Sequence, residues 1–373
     1  MNYRTLEPAI DPTNRITFLL DWELTLKCNL DCDYCTTGIY GGHDNSTKHP
    51  ALSECIKTVE FMYEYANLYM NKKPKGIKYV ILNVYGGESL HHPDIVSILD
   101  AAVKNYKPYE SDWHLTVTTT TNGIVSDKKF DKIIPYIDEF TFSYHSQNTP
   151  KQKEQFKRNV LAAKSAGKRV KCIVLKHPKY FEDTIEFIEW CKLNDVKYLA
   201  RQLDHSPDTP EFNYTEQQVV WFENLYSTKG SGITQLKEKR VDNKIDLAAT
   251  GRACCGGRSI CTDGDYKDKK FFIEGNNFAG WKCSVNEFFV YIKQVNGEIF
   301  TNKDCKVNFN NEVGPIGNLS NTQELLEFTK TKLEANSMPV IECVKQRCYC
   351  GLCAPKAQDL DSFNKIMKKY RKN

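Results

Sequence analysis

Residues 17–35 read TFLLDWELTLKCNLDCDYC, and this stretch decides how the chain is interpreted. Its first part, 17–26, is rich in β-branched and aromatic residues, which predicts a strand. Cys28, Cys32 and Cys35 follow directly in a CxxxCxxC pattern. Three thiolates on one short loop suit three corners of a cubic iron–sulfur cluster and leave the fourth iron open to a ligand, whereas electron-transfer clusters have four cysteines.

Zinc is the alternative occupant of this cysteine triplet. Zinc knuckles usually combine CxxC pairs with a fourth ligand close by. His43 is the nearest candidate for such a fourth ligand, and no cysteine follows closely. The pattern therefore favours an iron–sulfur cluster.

Strands and helices alternate after the first strand. Further strands are predicted at 78–85, 113–121, 139–145, 169–176 and 196–203, with helices between them at 51–70, 92–106, 127–137, 150–166 and 181–194. This order predicts a parallel sheet with right-handed crossovers. Six β/α units are too few for a closed eight-stranded barrel, so we expect an α/β fold with a partial (β/α)6 TIM-like barrel. Functional motifs should then follow the strands, at their C-terminal ends.

The composition changes after about residue 205. We expect an N-terminal extension at 1–15, the barrel at 16–205, a mostly helical linker at 206–250, and a cysteine-rich, irregular domain at 251–373. The last part has little periodicity and many glycines. We expect no large apolar core there, and metal clusters could replace one.

The cysteine triplet, with the aromatic Tyr34 just before its last member, resembles the signature of the radical S-adenosylmethionine (SAM) superfamily. The resemblance covers roughly residues 16–203. It implies a partial (β/α)6 barrel and a [4Fe–4S] cluster whose open iron binds the amino and carboxylate groups of SAM. It also implies reductive cleavage of SAM to a 5′-deoxyadenosyl radical, which abstracts a hydrogen atom from a substrate, and an electron donor such as flavodoxin or ferredoxin.

Two motifs resemble the SAM-binding elements of that superfamily. Gly86, Gly87 and Glu88 end the second strand as a GGE motif, whose glycines would let the backbone approach a ligand and whose carboxylate would accept from the methionine ammonium. Asn122, in a TNG sequence after the third strand, would contact the methionine or ribose part. The alternatives are an ordinary strand-to-helix turn and an Asn-Gly turn.

Three further barrel residues are candidates. Ser143 and His145 of the fourth strand project to the same face, where Ser143 would bind the ribose hydroxyls and His145 would be a proton shuttle or substrate contact. A packed, hydrogen-bonded histidine is the alternative for His145. Arg201 on the sixth strand would bind a carboxylate, with a surface salt bridge as its alternative.

Most other cysteines lie near the C-terminus. The candidate cluster ligands there are Cys255, Cys261, Cys283, Cys305, Cys343, Cys348, Cys350 and Cys353. Asn296-Gly297 predicts a hairpin that returns Cys305 toward Cys283. The arrangement resembles the auxiliary-cluster extensions called SPASM and twitch, although the spacings depart from both. It implies one or two auxiliary [4Fe–4S] clusters, with structural zinc in the last cysteine run as the alternative.

Composition limits the partners and the location. The net charge is +4 with both signs spread along 373 residues, which argues against nucleic acid as the main partner. No apolar run is long enough for a membrane span, and the N-terminus lacks the apolar core of a signal peptide. We expect a cytoplasmic protein, where 15 cysteines indicate cluster ligation before disulfides.

Three functions remain open from the sequence. The cysteine-rich tail favours a radical SAM oxidoreductase or maturase that modifies a peptide or protein side chain, as in the maturases of sulfatases and of ribosomal peptides. The second is radical oxidation or rearrangement of a small molecule or nucleoside. The third is a non-catalytic iron–sulfur electron carrier, against which Glu88 and the open iron argue.

Overall fold

A computed structural model describes residues 5–6, 16–35, 44–203, 212–227, 278–303, 305–344 and 354–371. Its N-terminal strands are β1 (Thr5–Leu6), β2 (Ile16–Thr25), β3 (Lys78–Gly86), β4 (His114–Thr121), β5 (Glu139–Tyr144), β6 (Arg169–Lys176) and β7 (Lys197–Gln202). The helices between them are α1 (Leu52–Lys72), α2 (Ile95–Tyr106), α3 (Asp127–Ile133), α4 (Pro150–Ser165) and α5 (Phe181–Leu193). The six strands and five helices expected for the barrel are therefore confirmed.

Strands β2 to β7 pair in sequence order, and every one of these pairs is parallel. Side chains alternate between the two faces of β2. Phe18, Leu20 and Trp22 are fully buried in the core that the sheet shares with the helices. Asp21 and Glu23 therefore point to the opposite face, which is the inner face of the partial barrel. The C-terminal ends of the parallel strands meet at one edge, where the cysteine loop begins.

The C-terminal part contains α6 (Glu216–Ser227), β8 (Lys282–Cys283), β9 (Phe289–Lys293), β10 (Glu298–Phe300), β11 (Gly317–Asn318), α7 (Thr322–Glu334), β12 (Ile341–Glu342), β13 (Lys356–Ala357) and α8 (Leu360–Met367). The predicted hairpin is present, since β9 and β10 pair antiparallel around Gly297, whose φ is 73°. Strand β9 also pairs parallel with β2, so the hairpin extends the barrel sheet to the order β11-β10-β9-β2-β3-β4-β5-β6-β7.

The expectation that the C-terminal part has little apolar core is wrong. A second hydrophobic cluster joins Trp281, Val285, Ile341 and Phe363. A small sheet of order β1-β13-β8-β12 lies beside it, so residues near both chain ends pair with each other. Residues far apart in the sequence assemble this core, which explains why local periodicity did not reveal it. None of the helices in the described ranges has the length and apolar character that crossing a bilayer requires.

Candidate active site

The cysteine loop starts three residues after β2 and is held by backbone and side-chain hydrogen bonds. The amide of Cys28 donates to Asn45 Oδ1 at 2.9 Å, and the amide of Leu30 donates to Cys28 Sγ at 3.4 Å. The amide of Cys35 donates to the carbonyl of Cys32 at 2.9 Å, which closes a turn between these two cysteines. The loop thus folds back on itself between Cys32 and Cys35.

Burial and neighbouring thiols both raise the pKa values of the loop cysteines. Burial raises the pKa of Cys28 to about 11 and that of Cys32 to about 12. The charge of Cys35 disfavours ionisation of both, and Cys28 acts on Cys32 as well. Iron would remove this penalty, because a metal ion stabilises the thiolate form of its ligands.

Within the described ranges, no group of three or more His, Cys, Asp or Glu side chains converges on a point that could hold one metal ion. His43, the alternative fourth zinc ligand, lies outside the described residues.

Two asparagines fasten the cysteine loop to the end of β4. Asn122 Nδ2 donates to Asn29 Oδ1 at 2.7 Å and lies 3.7 Å from Cys28 Sγ. Asn29 Nδ2 in turn donates to the carbonyl of Ile124 at 3.0 Å. The side-chain amide nitrogen of Asn122 holds the loop, and its contact with SAM stays a prediction. Asn29 was not predicted, because a single asparagine carries no motif.

Glu88 links the ends of β3 and β4. Its carboxylate accepts from the amide of Leu90 at 3.0 Å, from Thr121 Oγ1 at 2.8 Å and from the amide of Asn122 at 2.6 Å. The side chain is buried, and burial raises its pKa to about 7 despite these donors. Both carboxylate oxygens accept hydrogen bonds inside the protein, so Glu88 organises the strand ends beneath the loop, and its contact with the methionine ammonium stays a prediction.

Gly86 and Gly87 allow a close approach between two backbone segments, and their predicted approach to a ligand stays a prediction. A Cβ atom at Gly86 would lie 2.1 Å from the carbonyl oxygen of Thr25, and one at Gly87 would lie 2.4 Å from that of Lys27. The amides of Gly87 and Glu88 donate to these same carbonyls, at 2.7 and 2.8 Å. The glycines thus allow the GGE backbone to pack directly against the chain that leads into the cysteine loop.

Tyr34 and His145 meet at the inner side of the loop. Tyr34 Oη lies 2.5 Å from His145 Nδ1, and the two rings stack with centroids 5.9 Å apart. Burial lowers the pKa of His145 to about 4, so the imidazole is neutral at pH 7. A second histidine, His177, follows β6, and its Nε2 lies 3.2 Å from Asp33 Oδ2. His177 was not predicted, since nothing in its local sequence marks it.

The other two barrel candidates lie on the inner face. Ser143 sits between the buried Phe142 and Tyr144 of β5 and therefore points inward. Arg201 lies on β7, and its charge together with burial lowers the pKa of Lys171 on β6. The roles of Ser143 and Arg201 stay predictions.

Three of the C-terminal candidates are described. Cys283 lies on β8 and is paired in register with Ile341, and Cys343 follows β12, its amide donating to the carbonyl of Trp281 at 2.8 Å. Cys283 and Cys305 are buried in the second hydrophobic cluster, against which Cys343 packs. The remaining candidates, Cys255, Cys261, Cys348, Cys350 and Cys353, lie outside the described residues.

The parallel partial barrel carries the three-cysteine loop at its C-terminal edge. Residues 22–192 match the model of the Radical SAM superfamily. No curated protein gives a significant match.

Several solved structures are similar at low identity. One is the crystal structure of Streptococcus suis SuiB, at 11% identity and a TM-score of 0.47, covering 77% of this chain. The chain spans 60% of the length of SuiB. Native anSMEcpe with bound AdoMet has 12% identity and a TM-score of 0.48, covering 85% of this chain and 83% of its own. Coproporphyrinogen III oxidase (HemN) from Escherichia coli has 11% identity and a TM-score of 0.36, covering 57% of this chain and 52% of its own.

Proposed function

We propose that this protein is a radical SAM enzyme that cleaves SAM reductively and removes a hydrogen atom from a peptide or protein side chain. The observation that carries the proposal is the position of Cys28, Cys32 and Cys35 within the matched domain 22–192. Their loop rests on the ends of β3 and β4 through Glu88 and Asn122. The donor set of three neighbouring thiols fits a cluster with one open iron.

In this proposal the three cysteines hold the cluster and the rest of the edge holds SAM. The cluster would supply the electron that breaks the sulfonium bond, and the protein supplies orientation and exclusion of water. Gly86 and Gly87 keep the β3 turn against the loop, Glu88 and Asn122 fix the β4 turn, and Ser143 and Arg201 offer polar groups on the inner face. A flavodoxin or ferredoxin is proposed as the electron donor.

The side-chain substrate is proposed on two features. The buried Cys283 and Cys305 support at least one auxiliary cluster in the C-terminal part, which would accept an electron from a substrate radical or anchor the substrate. The inner face also carries hydrogen-bonding and charged groups suited to a polar peptide. Tyr291 on β9 donates to Glu23 at 2.8 Å, and Asn83 donates to Asp21 at 2.7 Å.

The test is anaerobic turnover with dithionite, with 5′-deoxyadenosine measured by chromatography and mass spectrometry. The wild type should form it, and Cys32→Ala should not. Cys191→Ala is the matched control, because Cys191 is fully buried in the helix-side core away from the loop, and it should keep the activity. Failure of the wild type to form 5′-deoxyadenosine with its clusters intact would favour the electron carrier instead.

The substrate class is tested separately with peptides encoded beside the gene, assayed by mass spectrometry after turnover. A defined mass change in one peptide, with deuterium transferred from a labelled side chain into 5′-deoxyadenosine, supports the proposal. SAM cleavage that is stimulated only by small molecules or nucleosides would move the function to the second class.

A further inference from the structure

The thiol of Cys32 meets two polar side chains that are not cluster ligands. His145 Nδ1 lies 3.5 Å from Cys32 Sγ, and the Tyr34 hydroxyl is close enough to interact with the same thiol. Tyr34 Oη and His145 Nδ1 are themselves only 2.5 Å apart. The sulfur of Cys32, the hydroxyl of Tyr34 and the imidazole of His145 are therefore mutual neighbours. Tyr34 belongs to the cysteine loop, and His145 follows β5.

Binding of iron to Cys32 would determine which groups donate and which accept in these hydrogen bonds. A cysteine that binds iron is a thiolate, which has no proton and can only accept hydrogen bonds. Tyr34 has one hydroxyl proton, and a neutral imidazole has one N–H. With the imidazole proton on Nδ1, His145 donates to Tyr34 Oη, and the Tyr34 hydroxyl donates to Cys32 Sγ. The chain of donors then ends on the sulfur.

We propose that Tyr34 and His145 form a hydrogen-bond chain to the Cys32 thiolate that raises the reduction potential of the cluster. This inference rests on the proposed function. A hydrogen bond to a ligand sulfur withdraws electron density from the cluster and stabilises its reduced, more negative form. Tyr34 and His145 are thus positioning residues that set how easily the cluster accepts its electron.

The surroundings make these hydrogen bonds effective. Aromatic groups close the outer side of Tyr34, with His177 at 5.9 Å and Phe212 at 6.4 Å between ring centroids. His177 and Phe212 are both buried. Shielding from water strengthens a hydrogen bond to a charged acceptor, because bulk solvent no longer competes for it. The contact of His177 with Asp33 gives the loop a second attachment on the next strand.

The test is a redox titration of the reconstituted protein, followed by electron paramagnetic resonance of the signal that changes when SAM is added. Tyr34→Phe keeps the ring and removes the donor. At the midpoint potential of the wild type, half of the wild-type cluster is reduced. In Tyr34→Phe the reduced fraction at the same potential should be about a tenth, as expected for loss of one charge-assisted hydrogen bond. His145→Leu should shift the midpoint in the same direction, whereas His145→Asn, which keeps a donor near the Nδ1 position, should shift it less.

The matched control is Tyr180→Phe. Tyr180 belongs to the same aromatic group, with its ring centroid 4.9 Å from that of His177, but it has no hydrogen bond to Cys32. Its midpoint should equal that of the wild type. A Tyr34→Phe midpoint equal to that of the wild type would overturn the inference and leave the proposed function standing. If Tyr34→Phe takes up no iron, His145→Leu decides by the same criterion. A wild type without a SAM-responsive cluster would instead remove the proposed function.

Discussion

The backbone amide of Asn122 donates a 2.6 Å hydrogen bond to the buried carboxylate of Glu88, and this contact joins the ends of β4 and β3 beneath the cysteine loop. The side chain of Asn122 then reaches Asn29 at 2.7 Å. A carboxylate on one strand thus positions the residue that clamps the loop from the next. The proposed cluster site depends on this order of contacts.

Glu88 should make stability depend on pH. Burial raises its pKa from 4.5 to about 7 in the folded state, so the folded protein binds a proton that the unfolded chain releases. The stabilisation is complete below pH 4.5 and is lost as the pH rises through 7. Between pH 5 and pH 8, the unfolding free energy of the cluster-free wild type should fall by about 2.5 kcal/mol more than that of Glu88→Gln. Urea denaturation at several pH values measures this, and parallel pH profiles would contradict it.

Gly87→Ala should damage the site, because its Cβ would lie 2.4 Å from the carbonyl oxygen of Lys27 and 2.5 Å from that of Leu26. Both are backbone atoms, so the cysteine loop itself must move. We expect a lower melting temperature and loss of most of the iron after reconstitution. Gly167→Ala is the control: its Cβ meets no atom within 4 Å, and its φ of 72° costs only about 1 kcal/mol. Equal iron content in the two variants would refute this explanation of the GGE motif.

The C-terminal part is tied to α1 by a buried ionic group. Lys73 Nζ lies 3.5 Å from Glu287 Oε2, and Arg371 Nε lies 3.2 Å from the same oxygen. These two cations hold the pKa of Glu287 below its usual range, although burial alone would raise it. Burial lowers the pKa of Lys73 more than Glu287 raises it.

Glu287→Gln would leave Lys73 and Arg371 without their carboxylate, and we expect a loss of about 3–5 kcal/mol in the free energy of unfolding. The control is Lys192→Ala, which removes the exposed pair with Glu189 and should cost less than about 1 kcal/mol. Denaturant titration of both variants beside the wild type measures the two losses. Similar small losses would mean that the buried group does not anchor the C-terminal part.

The alternation of strands and helices was predictable from the sequence, because each element has a local pattern. The pairing of β9 with β2 was not, since it joins residues such as Trp22 and Ile292 that are far apart in the chain. Helix α7 was missed for a related reason: its buried Leu325, Leu326 and Leu333 lie in a segment that is otherwise polar.

The residues of the candidate site were likewise predictable from the sequence only in part. Cys28, Cys32 and Cys35 are visible because their spacing has a chemical reason within one loop. The partners of Glu88 and the contacts of Asn29 and His177 follow only from how strand ends meet in space. The sequence therefore indicates which residues belong to the site, and the fold decides which of them contact one another.

Iron content tests the auxiliary clusters. After anaerobic reconstitution we predict at least about 8 iron atoms per chain, and about 12 if the C-terminal part holds two clusters. Replacing Cys28, Cys32 and Cys35 together by alanine should remove about 4 of them. Elemental analysis measures iron and zinc in the same sample. About 4 iron atoms together with zinc would show that the C-terminal cysteines bind zinc.

The open iron of the proposed cluster is tested most directly by electron–nuclear double resonance on the reduced protein with isotope-labelled SAM. If three thiolates leave one iron free, the ¹⁵N-labelled amino group and the ¹⁷O-labelled carboxylate should both show hyperfine coupling to the cluster, and Cys32→Ala should abolish it. A fully assembled cluster that shows no coupling to either label would mean that a protein donor occupies the fourth iron, which would contradict the proposed radical chemistry.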